Sequence, residues 1–78
     1  MKIDEKAKQD FIKLGLQIKK LREERTITLK ELSAKTNIRK EYLQKIENGK
    51  AYGVLIDKHL LEIAIALKVH FAQLFDYE

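Results

Sequence analysis

Residues 28–49 constrain this chain more than any other stretch. Thr28 followed three residues later by Glu31 is a capping box, in which each side chain satisfies the other's otherwise unpaired backbone N–H, so a helix starts here. Leu32 points inward, and the helix is expected to end near Thr36, where Asn37 tolerates the left-handed conformation that a tight turn needs. A second short helix is expected from about Arg39 to Asn48, stopped by Gly49 as its C-terminal cap. Tyr42, Leu43 and Ile46 share its inner face, while Lys40, Glu41, Gln44, Lys45 and Asn48 project together from the opposite one. Two short helices joined by a tight turn, the second apolar inside and polar outside, have the layout of a helix-turn-helix.

The rest of the chain reads as helix around this unit. Phe11, Leu14, Ile18 and Leu21 recur at spacings of three and four, which predicts a first helix from about Asp4 or Lys6 to Glu24, preceded by a tail over residues 1–5. Gly15 lies on the same stripe. Glycine inside a helix is unfavourable by roughly 1 kcal/mol against alanine, so a close helix crossing is expected there. Arg22 falls at the edge of the stripe and needs an acidic partner. Ser33, the only serine, is small enough for close packing and is expected to bond back along its own helix. Lys50 to Ile56 reads as a loop, Asp57 as a cap, and Lys58 to Leu67 as a fourth helix with Leu60, Leu61, Ile63, Ala64 and Leu67 apolar. Val69 leads into a short fifth helix, about Phe71 to Phe75. The expected fold class is all-α: one compact five-helix bundle over residues 1–78, with no strand and the helix-turn-helix at 28–48.

Charge and composition narrow the classes further. The net charge is +4 and it is unevenly spread. Residues 1–25 carry eight basic and five acidic side chains, residues 26–50 six and three, and residues 51–78 two and four. The basic half contains the helix-turn-helix, as a nucleic-acid footprint requires, although a lysine-rich soluble surface has the same signature. With no cysteine there is neither a disulfide framework nor a thiolate metal site. No apolar run approaches the roughly 20 residues of a membrane span, and the charged start lacks the apolar stretch of a secretion signal, so a cytoplasmic location is expected. His59 and His70 lack spaced acidic or sulfur neighbours and read as rim residues, so neither a metal nor another cofactor is expected. No nucleophile–base arrangement is visible, which argues against an enzyme.

Several pieces together resemble the phage repressor/Cro type of helix-turn-helix domain, the XRE family, over about Leu14 to Phe75. Leu14-Gly15, Ile18 and Leu21-Arg22 look like its first helix, and Thr28 with Glu31-Leu32 like its second. Tyr42-Leu43 with Lys45-Ile46-Glu47-Asn48-Gly49 looks like its recognition helix and the following turn. Leu61, Ile63-Ala64, Ala66-Leu67 and Val69 look like its fourth helix, and Leu74-Phe75 like its closing one. The resemblance implies a structural salt bridge between Arg22 and Glu47, with Glu47 holding the fold rather than reading DNA. It also implies a small transcriptional regulator, repressor-like, from a bacterium, phage or mobile element, controlled by concentration, dimerisation or a regulatory protein partner. The chain departs from the family pattern at Leu29, where a phosphate-touching glutamine is frequent, at Asn37, where glycine is usual, and at Arg39, where a Ser or Thr cap is common. The cap of the recognition helix is therefore expected to be poorer.

On this reading Arg39, Lys40, Glu41, Gln44 and Lys45 read base edges in double-stranded DNA. Lysine and arginine donate to guanine, glutamine bonds adenine, and glutamate accepts from cytosine. Lys30, Lys35, Asn48, Lys50 and Tyr52 are expected at phosphates, helped by the backbone N–H groups at the start of the second helix. Leu55, Ile56, Leu60, Phe71, Phe75 and Tyr77 are expected to form a symmetric homodimer interface, matching a palindromic operator. Two other readings use the same residues: a protein-interaction module of antitoxin or adaptor type, and a non-specific nucleic-acid binder.

Overall fold

The computed structural model describes residues 5–51 and 57–76. They form four α-helices, α1 (Glu5–Glu24), α2 (Leu29–Thr36), α3 (Lys40–Glu47) and α4 (Asp57–Leu67), followed by a 3-10 turn over Phe71–Phe75. The expected fifth helix is thus corrected to a 3-10 turn of five residues, a tighter winding suited to a short connector. Among the described residues there is no strand. Glu5, expected in the tail, lies in α1; residues 1–4 lie outside the described ones. Asp57, expected as a cap, is the first residue of α4.

Local chemistry sets the helix ends. At the start of α2 the Glu31 N–H donates to the Thr28 hydroxyl at 3.0 Å and the Thr28 N–H donates to the Glu31 carboxylate at 2.8 Å. Asn37 ends this helix in the left-handed conformation, φ 61°. Gly49 (φ 72°) closes α3, with its own N–H on the Ile46 carbonyl and the Lys50 N–H on the Lys45 carbonyl, the paired bonds of a Schellman cap. The same device ends α1 at Thr26 (φ 52°) and α4 at Lys68 (φ 59°), neither of them a residue type that announces it.

Leu14, Ile18 and Leu21 of α1 meet Leu32 of α2, Ile38, Leu43 and Ile46 in and before α3, Leu60, Ile63, Ala64 and Leu67 of α4, and Leu74 of the 3-10 turn in one buried cluster. Gly15 lies where α1 crosses the end of α3. A Cβ there would stand 2.7 Å from the Glu47 carbonyl oxygen and closer still to that of Ile46, so only glycine fits. The turn from α2 to α3 is fixed by side chains. The Thr36 hydroxyl donates to the Leu32 carbonyl at 2.8 Å and accepts the Ile38 N–H. Ser33 does not bond back along α2 as expected; its hydroxyl donates forward across the turn to the Ile38 carbonyl, 2.5 Å. The Gln17 side-chain amide donates to the Gln73 carbonyl at 2.8 Å, tying the 3-10 turn to α1.

Among the described residues no helix is long and apolar enough to cross a membrane.

Candidate nucleic-acid interface

The inner and outer faces of α3 separate cleanly. Leu43, Ile46 and Glu47 are buried, and Tyr42 is half-buried. Arg39, Lys40, Glu41, Gln44, Lys45 and Asn48 are all exposed, so every expected base-reading side chain stands on the outer surface of one short helix. Arg39 is the N-cap residue and makes no side-chain capping bond, since a guanidinium offers no acceptor to the first N–H groups of the helix.

What holds this face outward is a buried ion pair. Arg22 Nε and Nη2 of α1 donate to the two carboxylate oxygens of Glu47 at 2.6 and 3.1 Å, and Nη1 donates to the Ile27 carbonyl at 2.8 Å. Both residues are buried, 9% and 5% exposed. The Glu47 hydrogen bond raises the Arg22 pKa above its ordinary value, against the opposing pull of burial. Glu47 is thereby occupied and faces away from any ligand of the outer surface. One arginine joins α1, the end of α3 and the loop before α2, so α3 is fixed at its C-terminal end.

The expected phosphate contacts are not all brought together. Lys30, Asn48 and Lys50 are exposed. Lys35 is exposed too, but it lines a cleft with Arg25, Thr26 and Lys68, between α2 and the end of α4. Residues 33 and 35 are about 200° apart around a helix, so with Ser33 tied to the turn into α3, Lys35 lies on the opposite flank of α2. Tyr52 lies outside the described residues. At the start of α2 the Glu31 carboxylate bonds the Thr28 N–H; hydrogen bonds from the Thr28 backbone and side chain lower its pKa. That negative charge weakens the α2 N-terminus as an anion site.

The expected dimer surface needs one correction. Leu60 is 2% exposed and belongs to the chain's own core. α4 buries Leu60, Ile63, Ala64 and Leu67, which turns Leu61 (50% exposed) and Ile65 (67% exposed) to the outside. Ile65 was not among the expected interface residues. Phe71 and Phe75 are exposed and pack edge to face on each other, centroids 5.3 Å apart. Leu55, Ile56 and Tyr77 lie outside the described residues.

Tyr42 and His59 form a contact that sequence reasoning missed. Their rings pack edge to face, 5.4 Å apart at 67°, and join the first turn of α3 to α4. Nothing in the spacing of residues 42 and 59 announces it. Among the described residues no group of three or more His, Asp or Glu side chains is placed to hold a metal ion.

No curated protein matches the chain. The fold is similar to that of the restriction-modification controller protein C.AhdI from Aeromonas hydrophila, with a TM-score of 0.79 and 24% sequence identity, over 86% of this chain and 98% of the controller. Residues 17–78 match the family model of the Cro/C1-type helix-turn-helix DNA-binding domain. With the match spanning α2, the turn at Asn37 and α3 with its exposed polar face, the chain belongs to the Cro/C1-type family of helix-turn-helix DNA-binding domains.

Proposed function

We propose that this protein is a sequence-specific transcription regulator, repressor-like, that lays α3 in the major groove of double-stranded DNA. The observation that carries this reading is the arrangement of α3: six exposed polar residues from Arg39 to Asn48 surround a helix whose opposite side is core. Arg39, Lys40 and Glu41, at the helix start, reach deepest into the groove, and Gln44 and Lys45 extend the contact along it. Lys30, Asn48 and Lys50 bind flanking phosphates. Lys35, on the far flank of α2, has at most a minor part.

The regulator acts as a homodimer on a palindromic operator, in the cytoplasm of a bacterium or of a phage host. Leu61 and Ile65, one turn apart on α4, and the paired rings of Phe71 and Phe75 favour the dimer, since exposed large apolar side chains mark an association site. A two-fold pair would set two recognition helices about 34 Å apart. The Aeromonas protein of similar fold is a restriction-modification controller, which supports a regulatory role for this chain. The same apolar residues also favour a second reading, a protein-interaction module with no DNA function.

The test is selection of bound duplexes from a random library, followed by titration of the selected duplex with wild type and with Lys40→Ala/Lys45→Ala. The reading expects an inverted-repeat consensus, and loss of specific binding in the double variant with unchanged helical circular dichroism. Enrichment of no sequence, with binding that falls steeply with salt, would show a non-specific binder. No binding at all would favour the interaction module.

A further inference from the structure

The start of α3 carries three of the five proposed base-reading residues, Arg39, Lys40 and Glu41. α2 is pinned by a reciprocal capping box, whereas Arg39 gives α3 no side-chain cap. The backbone bonds of Tyr42 and Leu43 to the Arg39 carbonyl, both 3.0 Å, close the first turn but do not fix its direction. At the other end of the helix the Arg22–Glu47 pair and the Gly15 crossing fix α3 firmly. Ahead of α3 the Ser33 and Thr36 hydroxyls hold the backbone of Ile38, so what remains to be set is the tilt of the first turn that follows.

The Tyr42 ring is placed to brace it. It projects from the first turn, flanked in sequence by Glu41 and Leu43, and meets the edge or face of His59 from α4. His59 is half-buried, and its Nδ1 stands 3.6 Å from a Glu62 carboxylate oxygen one turn along α4. Tyr42 Oη and His59 Nδ1 are buried atoms without a hydrogen-bond partner among the described residues. Because both atoms are shielded from solvent, a DNA phosphate cannot reach them without displacing the rings. A cleft of about 350 Å³ beside them is lined by Asn37, Ile38 and Arg39, the turn and the first reading residue.

We infer that His59 is a specificity-determining positioning residue: it touches no base and acts on DNA only through the Tyr42 ring, which sets the tilt of the first turn of α3. This rests on the proposed function. Base recognition requires the reading groups to be held within about 0.5 Å and 10–20° of the productive geometry, and a swing at Tyr42 moves Arg39, Lys40 and Glu41 together. The effect is therefore on discrimination between base pairs at the deep end of the helix. Phosphate contacts at Lys30 and Lys50, and bases facing Lys45, are affected little.

The experiment compares wild type, His59→Phe, His59→Ala, Tyr42→Leu and the His59→Ala/Tyr42→Leu double variant. Each is titrated by fluorescence anisotropy, well below its own melting temperature, against the duplex selected by wild type and all its single-base-pair variants. His59→Ala should lose about tenfold of its discrimination at the base pairs read by Arg39 to Glu41, the order of one base contact, and keep it elsewhere in the site. His59→Phe, which preserves the ring, should restore it. The double variant should be no worse than the poorer single variant, since both remove one contact. Undiminished discrimination in a folded His59→Ala protein overturns the inference, as does a loss that is equal at every base pair. A wild type that selects no duplex overturns both the inference and the regulatory reading on which it rests.

Discussion

The Arg22 guanidinium of α1 grips both carboxylate oxygens of Glu47 at the last residue of α3, at 2.6 and 3.1 Å, from a site closed to solvent. Two charges removed from water stabilise a fold only while they satisfy each other, so truncating one leaves the other stranded. Glu47→Ala is expected to lower the unfolding free energy by about 3–5 kcal/mol, read from urea denaturation. The apolar pair Arg22→Met/Glu47→Leu should recover most of that loss. A Glu47→Ala protein within about 1 kcal/mol of wild type would show that the pair adds little.

Gly15 is expected to resist substitution although alanine is the better helix former. The atoms a Cβ would strike belong to the backbone of Ile46 and Glu47, which cannot rotate aside. Gly15→Ala should cost about 1–3 kcal/mol by forcing α1 and α3 apart, outweighing a propensity gain of roughly 1 kcal/mol. An unchanged or higher urea midpoint would contradict the crossing.

Thr26 should behave in the opposite way. A β-branched residue at φ 52° is strained, and glycine removes roughly 1–2 kcal/mol of that strain while adding about 0.5–1 kcal/mol of unfolded-chain freedom. Thr26→Gly is therefore expected to raise the melting temperature by a few degrees, and Lys68→Gly, at φ 59° but without β-branching, by less. A lower melting temperature for Thr26→Gly would mean that the threonine side chain has another part in the turn.

The capping box predicts a pH dependence. The Thr28 backbone N–H and hydroxyl hold the Glu31 carboxyl below its ordinary pKa. The unfolded chain thus binds this proton more readily than the folded one. The stabilisation is complete above the usual carboxylate range and is lost as pH falls through the lowered folded value. Thermal melts in acid should show wild type losing more stability than Glu31→Gln, whose neutral amide oxygen still accepts the Thr28 N–H. Parallel losses in the two proteins would rule out the ionised cap as the cause.

Much of the fold is legible because its determinants are local. Thr28 and Glu31, Asn37, Gly49 and the Gly15 crossing each carry a residue type whose chemistry admits one reading. The outer face of α3 is legible for the same reason, since helical spacing alone groups Lys40, Glu41, Gln44 and Lys45. What stays hidden depends on partners distant in the chain. In α4 nearly every residue from Leu60 to Leu67 is apolar, so periodicity does not reveal which stripe turns inward; packing against α2 buries Leu60 and exposes Ile65. Lys35 reads as one more cation until the flank of α2 is known. Ser33 has two carbonyls within reach, and the approach of Ile38 decides between them. The pairing of Tyr42 with His59 joins elements separated by a loop, and no local rule connects them.

The separation of faces on α3 has a further consequence. Lys40, Glu41, Gln44 and Lys45 point to solvent and are absent from the hydrophobic core, so replacing them disturbs folding little. On the proposed function, a chain built this way is re-addressed to a new target by exchanging a handful of surface residues, while the scaffold that presents them stays as it is.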